Sequence, residues 1–207
     1  MVARSLLLTF FLFATFAAAG EDTQSKAEKE VRKISAMAAD MSARPLVSQV
    51  IAEFLKTNRS ELVQQRQAAN LNYGSLFVAY QLTESGKRFD EVIGALKSGK
   101  DIWQVGNEMH ADWKQVAAEA KKLNAKLESA FYQFFLNQSQ KSRHAADGYV
   151  AARDQTPADV QGLTEKDVAV AQDTFARCFQ RARGGSATAG LPDQKNHESP
   201  QMEGDPR

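Results

Sequence analysis

From Met109 to Phe134 the apolar residues return at alternating spacings of four and three: Met109, Trp113, Val116, Ala120, Leu123, Leu127, Ala130 and Phe134. Residues three and four apart share one face of an α-helix, so this seven-residue repeat draws a single apolar stripe. The pattern predicts a helix from about Asp112 to Gln138, roughly 40 Å long at about 1.5 Å per residue. Phe131 and Phe135 widen the stripe at its far end. A stripe of this length must be covered. A helix packed antiparallel within a bundle covers it from the same chain, and a coiled-coil homodimer covers it from a second copy.

The remaining segments supply further helices. Ser25-Lys26-Ala27-Glu28 has the form of a capping box, in which a serine oxygen and a glutamate satisfy the free amides of a first turn. Behind it, Ala27, Val31, Ile34, Ala38 and Met41 make a seam. Pro45 suits the first turn of a second helix, with Leu46, Val47, Val50, Ile51, Phe54 and Leu55 as its buried face. Ser60 is expected to cap a third helix carrying Leu62 and Val63, and Asn72 a fourth with Leu76, Phe77, Ala79, Tyr80 and Leu82. Ser-Gly-Lys occurs at 85–87 and again at 98–100. A glycine just past a helix end takes the left-handed conformation that closes the turn, so the two copies bracket a short helix containing Phe89, Val92, Ile93 and Leu96. Residues Gln138 to Thr156 read as a polar connection, with a turn of helix near Tyr149 to Arg153. Thr156-Pro157 and the pair Thr164 and Asp167 mark helix starts. Val168, Ala171, Phe175, Cys178 and Phe179 form the last core face, closed at Gly184-Gly185.

Arg4, the largely apolar run Leu6 to Phe16 and the small residues Ala17-Ala18-Ala19-Gly20 stand in the order of a Sec signal peptide. The expected division is a signal peptide at 1–20, a helical domain at 21–184 and a disordered tail at 185–207, where periodic apolar residues cease. The expected location is periplasmic or secreted. The 26 Lys and Arg fall by one when Arg4 is removed, leaving 25 against 25 Asp and Glu. Such a balance offers no global field to attract nucleic acid or an anionic membrane. No integral membrane segment is expected after processing. Cys178 is the single cysteine, so it either fills a small buried site or pairs with another chain.

Few residues suggest chemistry. Glu108, His110 and Asp112 lie two apart, about 200° around a helix, so His110 points away from the other two unless the helix breaks. Asp112 more simply caps the long helix. No phosphate-cradling glycine loop, zinc-like Cys/His spacing or nucleophile elbow is present, and neither a metal nor a cofactor is expected. Tyr73, Tyr80, Trp103 and Trp113, near the glycine-closed turns, are the candidate binding residues, because aromatic rings bring large contact areas at little entropic cost. Their alternative role is core packing.

The stretch from Leu71 to Val116 carries Leu-Asn-Tyr-Gly-Ser-Leu-Phe-Val-Ala-Tyr, then Ser-Gly-Lys, then Ser-Gly-Lys-Asp-Ile-Trp-Gln-Val. It resembles a helical module of exported bacterial proteins of unknown function, with Trp103-Gln104 where that module carries Trp-Gly. The resemblance implies a bacterial, extracytoplasmic setting and brings no activity with it. The same stretch has the outline of a helix-turn-helix, but Ile102 to His110 holds no Lys or Arg for DNA. Together these observations predict an all-α bundle of about six or seven helices with one long heptad-patterned helix. The expected function is non-catalytic binding or scaffolding of a protein or envelope component. The alternative is an envelope hydrolase using carboxylates or His110.

Overall fold

The computed structural model describes residues 15–138, 154 and 156–188. Among the described residues there are eight α-helices and no strand. In chain order they are α1 (Thr15–Ala39), α2 (Arg44–Phe54), α3 (Arg59–Ala69), α4 (Tyr73–Glu84), α5 (Phe89–Lys97), α6 (Ile102–Glu108), α7 (Trp113–Gln138) and α8 (Glu165–Thr188), with a single 3-10 turn at Pro157–Val160 before α8. The protein is an all-α bundle. The first part of the expected leader, the expected turn at Tyr149 to Arg153 and the tail from residue 189 lie outside the described residues. No described helix is long and apolar enough to cross a membrane.

The stem of the bundle is α7 with α1 and α8 against it. Trp113, Val116, Ala120, Leu123 and Leu127 are buried as the repeat requires, and Phe131 then takes over from Ala130 and Phe134, which are only half-buried. A straight helix drifts by about 20° per heptad against a strict seven-residue repeat, which moves the buried line by one position over this length. The partners do not run antiparallel to α7. Phe131 packs on Phe175 at 4.7 Å and Phe135 on Phe179 at 5.6 Å, both pairs offset by 44 residues, so α8 runs in the same direction. Gln24 sits beside Asn107, which accepts from the Trp113 indole, and Glu30 sits beside Asn124 farther along, so α1 follows that direction too. Short loops impose antiparallel neighbours, and none of these three helices is joined to another by one.

Local signals set most helix ends. Pro45 lies in the first turn of α2, Asn72 Oδ1 accepts from Ser75 N at 2.7 Å to cap α4, and Asp112 Oδ1 accepts from Gln115 N at 3.0 Å to cap α7. Thr164 and Asp167 form a reciprocal box at the start of α8. Gly86 and Gly99 close their helices at φ +96° and +93°. Other expectations are displaced. Asn58, not Ser60, caps α3, and Ser25 lies inside α1 rather than at its start. Met109 ends α6 instead of opening the long helix, because His110 turns the chain at φ +58°. Met41, Val168 and Phe179 are exposed; on α8 the expected Ala171 and Cys178 are buried, joined by Thr174 and Ala182. That helix also passes through Gly184 and Gly185 to Thr188.

Candidate functional site

The four aromatic candidates separate into three places. Tyr73 follows the Asn72 cap and so opens α4 on its core side, where it is 0% exposed with the Arg66 guanidinium 4.5 Å above its ring. It is packing, not surface. Tyr80 is half-buried, stacks at 5.4 Å on Phe89 and donates its hydroxyl to Gln65 at 2.5 Å. Trp103 and Trp113 meet each other at 5.4 Å. Trp113 is only 7% exposed and its ring occupies the space beside Gly106, where an added Cβ would lie 2.6 Å from ring carbon Cζ2. Trp103 is half-buried and lines a cavity.

That cavity has a volume of about 530 Å³. Its walls come from four pieces of chain: Arg32 and Ser35 of α1, Asn70, Leu71 and Asn72 of the α3–α4 turn, Lys100, Asp101 and Trp103 of the α5–α6 turn, and Gln161, Gly162 and Leu163 after the 3-10 turn. Each wall has a local cause. Asn70 takes the left-handed conformation at φ +49° and ends α3, so the chain doubles back over α1. Gly74 lets α4 start against α1, since a Cβ there would stand 2.7 Å from the Val31 carbonyl oxygen. Asp101 and Gln104 form a capping box that fixes α6 and with it Trp103. The charges at the lining are mixed. Lys100 pairs with Glu108 at 2.6 Å, and Arg32 has Glu28 and Asp167 at 3.8 and 3.9 Å.

Behind the cavity lies a cluster that the periodic reading missed. Arg44 and Arg66 are 2% and 0% exposed, and they face Asp154 and Asp159, also buried. Arg66 bonds both carboxylates, Arg44 Nη1 lies 3.2 Å from Asp159 Oδ2, and the Tyr73 hydroxyl donates to Asp154. Further guanidinium protons go to backbone oxygens, Arg44 to Ala38 at 2.8 Å and Ala39 at 3.2 Å and Arg66 to Leu71 at 3.1 Å, and Arg66 also reaches the Thr156 hydroxyl. Buried charges persist where they are paired and bonded in this way. Burial nonetheless pushes the Asp154 carboxyl above the ordinary range, against the opposing pull of the Tyr73 hydroxyl and of Arg66 and Arg44. Burial and the Asp154 carboxylate push the Tyr73 phenol up as well. One signal was available: Arg66 falls four residues after Leu62, on the stripe that α3 turns inward.

The Glu108, His110 and Asp112 group does not converge. Glu108 pairs with Lys100, Asp112 caps α7 and His110 is exposed in the turn between α6 and α7. No three His, Cys, Asp or Glu stand where they could hold a metal ion among the described residues. Cys178 is buried and unbridged, its Sγ 3.5 Å from the Glu128 carbonyl oxygen, and burial raises its thiol. No family model, curated protein or solved structure matches this chain.

Proposed function

We propose that this chain is an exported, non-catalytic binding module of a bacterial envelope whose ligand site is the cavity at Trp103. The observation that carries the reading is the cavity itself. Its volume of about 530 Å³ lies within the range of about 300–1,000 Å³ that small-ligand sites occupy. Its lining also suggests the chemistry of the ligand. Arg32 and Lys100 stand against Asp101, with Glu28, Asp167 and Glu108 close behind, so the site holds no excess of positive charge for an anion. The indole of Trp103 brings an apolar face, while Asn70, Asn72, Ser75 and Gln161 bring amides and a hydroxyl. A neutral polyol with one apolar face, such as a saccharide unit, matches both halves.

The chain holds two tryptophans, so Trp113→Phe leaves Trp103 as the reporter. Titration of that variant with neutral saccharides of one to three units should give a saturable emission change. Calorimetry on Trp103→Ala, in the otherwise native chain, should show the same ligand bound at least about tenfold more weakly, the loss of one well-placed aromatic contact. Equal binding by Trp103→Ala would overturn the site, and no saturable response to any saccharide would overturn the saccharide as its ligand.

A further inference from the structure

We infer that residues 156–163 form a strap across the cavity, latched to the bundle by Arg66 and Arg44 through Asp159 and controlling access to Trp103. The inference rests on the binding reading of that cavity and adds its regulation.

The strap has two working sides. Ala158, Gln161, Gly162 and Leu163 line the cavity, while Asp159 turns into the buried charge cluster. Two apolar side chains hold it: Ala158 is buried and Leu163 is half-buried against the core, whereas Val160 is 67% exposed, and Pro157, Gln161 and Gly162 are exposed too. Segments with few buried apolar contacts open at lower free energy than the core they lie on. The rest of the attachment is polar, and Asp159 makes its ion pairs. One carboxylate oxygen meets Arg66 and the other lies 3.2 Å from Arg44, while the bond that the second oxygen accepts from Thr156 N at 2.8 Å stays within the strap and holds its shape. The Thr156 hydroxyl also accepts from Arg66 Nη1 at 3.1 Å.

The fixed half of the latch belongs to the bundle. Arg44 and Arg66 also bond Ala38, Ala39 and Leu71, none of which belongs to the strap. Leu71 is itself a cavity wall, so the cluster reaches the site directly. At the strap's other end Gly162 sits at φ +75°, a conformation that L side chains rarely adopt, with open space where a Cβ would lie. A polar clasp at one end and a glycine turn at the other let the strap leave as a unit.

The test is Asp159→Asn, which keeps the shape and removes the charge. Amide exchange of the full chain should speed by about tenfold or more at 158–164, with the α7 amides around Leu123 and Leu127 unchanged, as expected of a local opening. In the Trp113→Phe background, acrylamide should quench Trp103 about twofold more efficiently once Asp159→Asn is added, since the opened wall exposes the ring. Thr156→Val, a milder cut of the same latch, should move both readouts the same way and serves if Asp159→Asn does not fold. Unchanged exchange in the strap would overturn the latch. Faster strap exchange without added quenching would overturn the gate, and uniform acceleration of all amides would make the cluster a global tie. A saccharide that binds Trp103 with equal on-rates with and without the substitution would overturn the gate while leaving the binding site standing. A released strap with more accessible Trp103 but no saccharide response would support the gate and sink the saccharide reading alone.

Discussion

The stem and the strap are held by opposite physics. Along α7 one apolar stripe from Trp113 to Phe131 is sealed by α1 and α8, and side chains more than about 10 Å apart along it contribute nearly independently. Beneath the strap, four charges and one phenol are bonded to one another in a single buried cluster, and Asp159 is the member that the strap contributes. A stem of many small contributions degrades gradually under substitution, whereas a closed polar cluster fails when one member goes.

Substitutions separate the two modes. Arg66→Ala removes the ion-pair partner of Asp154, leaves Asp159 with Arg44 alone and should cost about 3–5 kcal/mol by urea denaturation, the loss expected when one partner of a buried ion pair is removed. Adding Asp154→Ala to it should cost much less than the sum of the two single changes, because the stranded carboxylate goes with it. In the stem, Leu127→Ala should cost about 2–5 kcal/mol, and its combination with Val116→Ala, eleven residues away, should be close to additive. Strong coupling in the stem, or additivity in the cluster, would erase the contrast.

Next comes Gly106→Ala, where the new Cβ meets the Trp113 ring; overpacking of this kind should cost about 1–3 kcal/mol and shift tryptophan emission. The smallest expected effect is at the head of α8. Thr164→Ala removes half of the capping box and should cost about 0.5–2 kcal/mol. Partial burial works to raise the Asp167 carboxyl, but the Thr164 amide and hydroxyl, with the charges of Arg32 and Lys166, outweigh it and hold the group below its ordinary range. Its contribution is therefore present above the ordinary carboxylate value of about 3.9 and is lost as pH falls through the lowered one. The stability gap between the native chain and Asp167→Ala should close on acidification over that window, and a gap that is flat with pH would show that the box acts by shape alone.

The same division governs what could be read from residues alone. The stem is a repeat, and repeats are visible: Val116, Ala120, Leu123 and Leu127 fall inside as their spacing demands. Met109 deceived the pattern because a spacing of four to Trp113 looks the same whether the chain between is helical or turned at His110. Asn72, Asp112, Gly86 and Gly99 act within one turn of chain, where local chemistry decides. The site is not local. Tyr73 finds Asp154 eighty-one residues away, and Arg66 finds Asp159 ninety-three away, so no window of sequence contains either pair. Aromatic type marked Trp103 and Tyr73 alike as candidates; only the direction of α4 and α6 separates the ring that lines the cavity from the ring sealed beneath Arg66.

The shared direction of α7 and α8 has a consequence for how the molecule assembles. Parallel neighbours resemble a parallel strand pair in needing a long crossover, for the chain leaves α7 at Gln138 and must travel back along the stem before α8 begins at Glu165. Closing a loop of that size spends chain entropy before any contact is made, and contacts distant in sequence form late for that reason. On this topology the Phe131–Phe175 and Phe135–Phe179 pairs and the charge cluster all require the same crossover to close.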